Sequence, residues 1–125
     1  MNIADSLLYT DDHEWIKIEE SKAIIGITDF AQSELGDIVF IEFPDKGDTF
    51  LKGDTIGTIE AVKTVADLYA PVSGKILELN LVLDDNAELI NSDPFGKGWL
   101  IKMELSNPDE TSDLLSAEDY GKLIS

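Results

Sequence analysis

Apolar and polar positions alternate in short runs along most of this 125-residue chain, and a period of two is the mark of half-buried strands. Glu14 to Glu19 alternates around Ile16 and Ile18, Ala23 to Ile27 is β-branched, and Thr55 to Ala61, Thr64 to Tyr69 and Ile76 to Leu79 continue the series. A last strand sets Trp99, Ile101, Met103 and Leu105 against Leu100, Lys102 and Glu104. Asp37 to Phe43 is instead a nearly continuous apolar run, which predicts a strand buried on both faces. The turns "PDKGD" at Pro44 to Asp48, "KGD" at Lys52 to Asp54 and "PVSGK" at Pro71 to Lys75 separate these runs, with a loop at Asp84-Asp85-Asn86. The "KGD" echo is far too short a period for a solenoid, so it reads as two turns.

Helix signals are fewer. Thr28 caps a short helix over Asp29 to Glu34, closed by Gly36. Asn107-Pro108-Asp109-Glu110 offers a cap, a proline at the first helical position and acids against the positive end of the dipole, predicting a helix to about Leu115. A second short helix follows Ser116, with Tyr120, Leu123 and Ile124 on one face. Regularly spaced strands with terminal helices predict a small β sandwich or partly open barrel with helical additions. A chain of this length builds one modest core, so residues 1–125 are expected to be a single domain with a helical extension at about 107–125.

Charge narrows the partners. Twenty-six acidic residues stand against nine cations, all lysine, for a net charge of -17. Without arginine, and at this net charge, the surface lacks the usual bidentate phosphate reader and repels nucleic acid and anionic lipid, so partners should be proteins with basic faces. No cysteine is present, which excludes disulfides, thiolate metal sites and a cysteine nucleophile from the polypeptide itself. The N-terminal "MNIADSLLYTDDHEW" has no basic n-region or long apolar run, and no window approaches the roughly 20 apolar residues of a membrane span. A soluble, cytoplasmic protein is expected.

Catalytic constellations are not apparent. His13, the one residue with an unperturbed pKa near neutrality, sits in "DDHEW" among three carboxylates, but a metal site would need more ligands. Ser73 in "PVSGK" lacks the flanks of a nucleophile elbow. "DDNAE" at Asp84 to Glu88 lacks the glycine and distal glutamate of a calcium loop, and the "KGD" turns lack phosphate-loop spacing. What remains is Lys63 in "GTIEAVKTVAD". Ile59, Val62 and Val65 favour extended backbone on both sides, which places Lys63 at or beside a hairpin tip. A loop lysine is a common surface residue; a lysine held out on a stiff hairpin is also what an acylating enzyme and a swinging arm require.

"KGD" at 52 to 54, "EAVK" at 60 to 63 and "PVSG" at 71 to 74 resemble the signature of biotinyl and lipoyl carrier domains, whose barrel-sandwich hybrid fold the resemblance implies. Val62 and Thr64 flank the lysine where biotin carriers usually have methionines, which favours lipoyl. "YTDDHEW" (9 to 15), "GITDFAQSELGDIVFIEFP" (26 to 44), "LINSDPFGKGWLIKM" (89 to 103) and "LLSAEDYGKL" (114 to 123) further resemble the H-protein family of the glycine cleavage system, over nearly the whole chain.

That resemblance implies a carrier and not an enzyme, a monomer with lipoate joined covalently to Lys63. The arm accepts the aminomethyl group of glycine at the decarboxylase (P protein), yields it at the aminomethyltransferase (T protein) and is reoxidised by dihydrolipoamide dehydrogenase (L protein). A lipoate ligase or octanoyltransferase installs the arm, and the setting is the bacterial cytoplasm or, for a processed chain, the mitochondrial matrix. It also implies a docking cleft for the loaded arm at Glu14, with Asp67 as a second carboxylate and His13 orienting the site, and makes Glu60, Ala61 and Val62 the attachment-motif neighbours. Absence of cysteine suits a chain whose cofactor brings the sulfur. The family usually has serine at Ala61, alanine at Thr64 and a small or hydroxyl residue at Asp12. A lipoyl relay to other complexes or another sulfur pathway, and a small enzyme built on the acidic surroundings of His13, are the competing readings.

Overall fold

The computed structural model describes residues 3–125; the first two residues of the expected domain lie outside the described residues. Among the described residues nine strands form two antiparallel sheets: β1 (Leu8–Tyr9), β2 (Glu14–Glu19), β3 (Lys22–Ile27), β4 (Ile38–Glu42), β5 (Thr49–Phe50), β6 (Thr55–Ala61), β7 (Val65–Tyr69), β8 (Gly74–Leu79) and β9 (Ile101–Leu105). The larger sheet runs β1-β2-β3-β9-β8-β5 and the smaller β4-β6-β7. Ile25, Ile76, Ile101 and Met103 from the first and Ile38, Ile41, Ile59 and Leu68 from the second belong to one buried cluster, so the core lies between the sheets. The expected mainly β architecture is the one observed.

The first helix, α1 (Asp29–Leu35), begins as its cap predicts: Thr28 Oγ1 accepts from the Ala31 N–H at 3.1 Å. It ends at Gly36, whose φ of +80° disfavours a residue with a side chain. A four-residue helix, α2 (Leu89–Ser92), and the C-terminal α3 (Ala117–Ile124), capped by Ser116, complete the helices. Tyr120 of α3 is fully buried and stacks on Tyr9, ring centroids 4.6 Å apart. This places α3 over the smaller cluster of Leu7, Tyr9 and Trp15.

Several elements depart from the sequence pattern. The apolar run at Asp37 to Phe43 is not buried on both faces: Val39 and Phe40 are 56% and 46% exposed. A bulge between Ile38 and Phe40 turns two consecutive side chains outward while Ile38 and Ile41 stay in the core. The helix expected from Pro108 to about Leu115 is a 3-10 segment over Pro108–Asp113 with no buried residue. Its six residues are polar apart from the proline and offer no apolar stripe to pack. The two-residue strands β1 and β5 are too short to show a period, and exist through long-range pairing of Leu8 with Ile16 and of Phe50 with Gly74.

Candidate functional site

Lys63 lies in the three-residue connection between β6 and β7, exposed. The connection is tied at both ends: the Ala61 N–H donates to Thr64 O at 2.8 Å and the Val62 N–H to Asp37 O at 2.9 Å. Asn91 of α2 fixes the segment beneath, accepting from the Ile38 N–H at 3.0 Å and donating to Gly36 O at 2.8 Å. The lysine stem rests over Gly36, where a Cβ would stand 3.3 Å from Lys63 Cε and 3.7 Å from Nζ. α1 has no basic residue in its last turn, and the Lys63 stem lies beside the glycine that closes it. Ala61 is 8% exposed and part of the core, a place where alanine leaves no hydroxyl to satisfy. Val62 is 74% exposed. Glu60 is half-buried in a cross-strand row with Phe40 and Val65.

Glu14 opens β2 with only 2% of its surface exposed. Its carboxylate accepts from the Tyr69 N–H at 2.9 Å and from Thr10 Oγ1 at 3.1 Å. Tyr69 ends β7, the edge strand of the smaller sheet. Ala61–Thr64 and Asp54–Ala70 backbone bonds fix which residues of β7 face β6, and by the two-residue period Val65, Asp67 and Tyr69 point their N–H groups outward. Glu14 therefore caps the last of these from the opposite sheet. Burial pushes its carboxyl up to about 8, against the two hydrogen bonds, with the charges of Asp12 and Asp11 adding to the rise.

Beside Glu14 lies a cavity of about 330 Å³. Asp11 and Asp12 line it from the β1–β2 connection and Glu14 from the start of β2, Lys52 and Ala70 from turns on the other side, and Asp113, Leu114 and Leu115 from the C-terminal segment. Lys52 and Asp113 form an ion pair at 3.5 Å. The arrangement combines apolar walls with several carboxylates and one already paired cation, suited to a largely hydrocarbon ligand that ends in a positive charge.

His13 and Asp67 do not line this cavity. His13 follows Asp12 with a left-handed φ of +67°, and its ring turns to α3: Nδ1 is 2.9 Å from the Tyr120 hydroxyl, which is 2.7 Å from Thr28 Oγ1. Asp67 is exposed, two residues along β7 from Tyr69, in a cross-strand row with Thr58 and Glu42. Sequence reasoning passed over Thr10, Tyr69 and Asn91, which act through contacts 4, 55 and 53 residues away, respectively with Glu14, Glu14 and Ile38. It singled out Ser73 only as an unsuitable nucleophile; its hydroxyl donates to Glu110 Oε2 at 2.9 Å.

The family model for the glycine cleavage H-protein matches residues 7–125. The chain belongs to this family. Similar relatives include glycine cleavage system H proteins of Listeria monocytogenes serotype 4b, 53% identical over 99% of each chain, and of Carboxydothermus hydrogenoformans, 54% identical over 98% of this chain and 94% of that one. A crystal structure of a glycine cleavage system H protein from Mycobacterium marinum superposes with a TM-score of 0.89, 38% identity and coverage of 96% of this chain and 97% of that one. An H protein's fold thus explains the two sheets and the terminal helix together.

Proposed function

We propose that Lys63 bears the covalent lipoyl group of this H protein and that the cavity beside Glu14 receives the loaded end of the arm. The chain itself is a lipoyl carrier of the glycine cleavage system. The observation that carries the residue assignment is Lys63 held out at a braced hairpin tip within a chain that matches its family from residue 7 to 125.

The residues present suit such a group. From Lys63 to Tyr69, whose N–H Glu14 holds, the chain covers at most about 20 Å at ~3.3 Å per residue. An extended chain of about 16 bonds, at ~1.3 Å of projection each, covers the same distance; a lysine side chain extended by lipoate and a one-carbon amine is of that length. Val65 and Asp67 leave the edge of β7 open along the way. When bound, lipoyl supplies a ring disulfide that is reduced as it takes up the aminomethyl unit of glycine. The polypeptide's part is to hold the resulting cation. Tyr9, Ala70, Pro71, Leu114 and Leu115 exclude water from the stem, while Glu14 and Asp12 face the charge. With its carboxyl raised to about 8, Glu14 keeps a proton in the free cleft at neutral pH and gives it to solvent when a cation arrives. Asp67 is a second carboxylate along the path, and His13 orients the turn that carries Asp11 and Asp12. Glu60, Ala61 and Val62 present the lysine to the ligase or octanoyltransferase. Acylation cancels the Lys63 charge.

Glycine decarboxylase, aminomethyltransferase and dihydrolipoamide dehydrogenase are the partners this reading requires, met by a monomer in the cytoplasm. Intact-mass analysis of protein from lipoate-fed cells tests the attachment. A lipoyl increment is expected on the wild-type chain and none on Lys63→Arg; an increment that survives the substitution refutes the assignment.

A further inference from the structure

The C-terminal 3-10 segment contributes no buried residue to the core, yet its last residue, Asp113, and the next two, Leu114 and Leu115, wall the cavity. Leu114 and Leu115 pack only in part against the two hydrophobic clusters, and polar ties on either side help set the course of the strap. Downstream, Leu115 and Tyr9 exchange backbone hydrogen bonds of 2.7 and 2.8 Å. Upstream, the half-buried Glu110 accepts from both the N–H of Ser73, at 2.8 Å, and its hydroxyl, at 2.9 Å. Ser73, itself 7% exposed, in turn accepts from the Lys52 N–H at 2.8 Å. One carboxylate thereby joins the "PVSG" turn, the second "KGD" turn and the C-terminal strap, and Lys52 and Asp113, paired across the same gap, both line the cavity.

We infer that Glu110 is a positioning residue: its two-point hold on Ser73 seats the strap over residues 108–115 as a wall of the cavity, and so determines how long the docked arm keeps its load from water. Glu110 touches neither Lys63 nor the cavity, and acts through Leu114, Leu115 and Lys52. Bonds to an ionised acceptor are the stronger kind, and removing this one leaves the Ser73 N–H without its partner. Within the strap only the half-buried Leu114 and Leu115 pack against the core clusters, so the hold on Ser73 carries much of its seating. The inference rests on the reading that the cavity receives the loaded arm.

The test uses the full chain, lipoylated, as wild type, Glu110→Ala and Glu110→Gln, with two readouts. Amide exchange at Ser73 and Lys52 reports the clasp, and the rate of release of the one-carbon load into buffer reports the wall. In Glu110→Ala both amides are expected to exchange about tenfold faster or more, with Ile25 of the core unchanged, and release to quicken several-fold. Glu110→Gln keeps an acceptor for the Ser73 N–H and should return both readouts close to wild type. Amides as protected as in wild type overturn the clasp. Fast amides with unchanged release overturn the wall, and acceleration at Ile25 in both variants makes the role one of general stability. Wild-type release as fast as from the heat-unfolded chain overturns the docking reading itself, and the inference with it, whatever the amides show.

Discussion

Glu14→Gln isolates the cost of burying a carboxyl at the end of β2. The side chain is 2% exposed and its carboxyl is raised from 4.5 to about 8, chiefly by desolvation. Between those values the folded chain holds a proton that the unfolded chain has released, so stability falls as pH rises through the window. No penalty exists below pH 4.5, and above pH 8 it is complete. At ~1.4 kcal/mol per pH unit, it amounts to about 2 kcal/mol at pH 6 and close to 5 kcal/mol at pH 9. Glutamine keeps an oxygen for the Tyr69 N–H and an amide that Thr10 Oγ1 can accept, but has nothing to ionise. Stability measured by urea titration, followed through Trp15 and Trp99, should therefore fall by about 3 kcal/mol more for wild type than for Glu14→Gln between pH 6 and 9. Every other titrating group is common to both proteins and cancels in the difference. Parallel pH profiles would show that Glu14 is already ionised at pH 6 and that the cleft carries a fixed charge.

Gly36→Ala places a side chain at φ +80° and a methyl 3.3 Å from Lys63 Cε; a loss of about 1–3 kcal/mol is expected in urea, and an unchanged midpoint would contradict the strain. Tyr120→Phe keeps the stack on Tyr9 but removes the hydroxyl between His13 and Thr28. It should cost ~1–2 kcal/mol, and a change below ~0.5 kcal/mol would mean that water serves both partners.

Where a side chain's role is local, the sequence was a good guide. Ile16 and Ile18 revealed the strand β2, although its burial does not alternate and Ile18 is exposed, Thr28 revealed the start of α1, and the β-branched residues around Lys63 revealed its hairpin. Val39 and Phe40 misled, because hydrophobicity alone cannot show that a bulge turns both to solvent. The candidate site divided in the same way. Lys63 and Glu14 stand in recognisable motifs, but the cavity needs Lys52, Ala70 and Leu115 beside Asp12, and nothing in their spacing brings them together. Asn91 and Glu110 were illegible for the same reason, each being a polar residue in a turn-rich stretch whose purpose appears only when its partners 53 and 37 residues away arrive.

Tyr120 has a bearing on how the chain folds as it is made. Its hydroxyl meets His13 and Thr28 across 107 and 92 residues, its ring meets Tyr9, and β3 takes its second neighbour from β9. The first 28 residues are thus synthesised long before the groups that complete their packing exist. High contact order of this kind slows folding, and the larger sheet cannot be completed before β9 is available. The turn that carries Asp12 and His13 is completed by a contact with α3, so a chain truncated before Tyr120 should lose the cleft along with that helix.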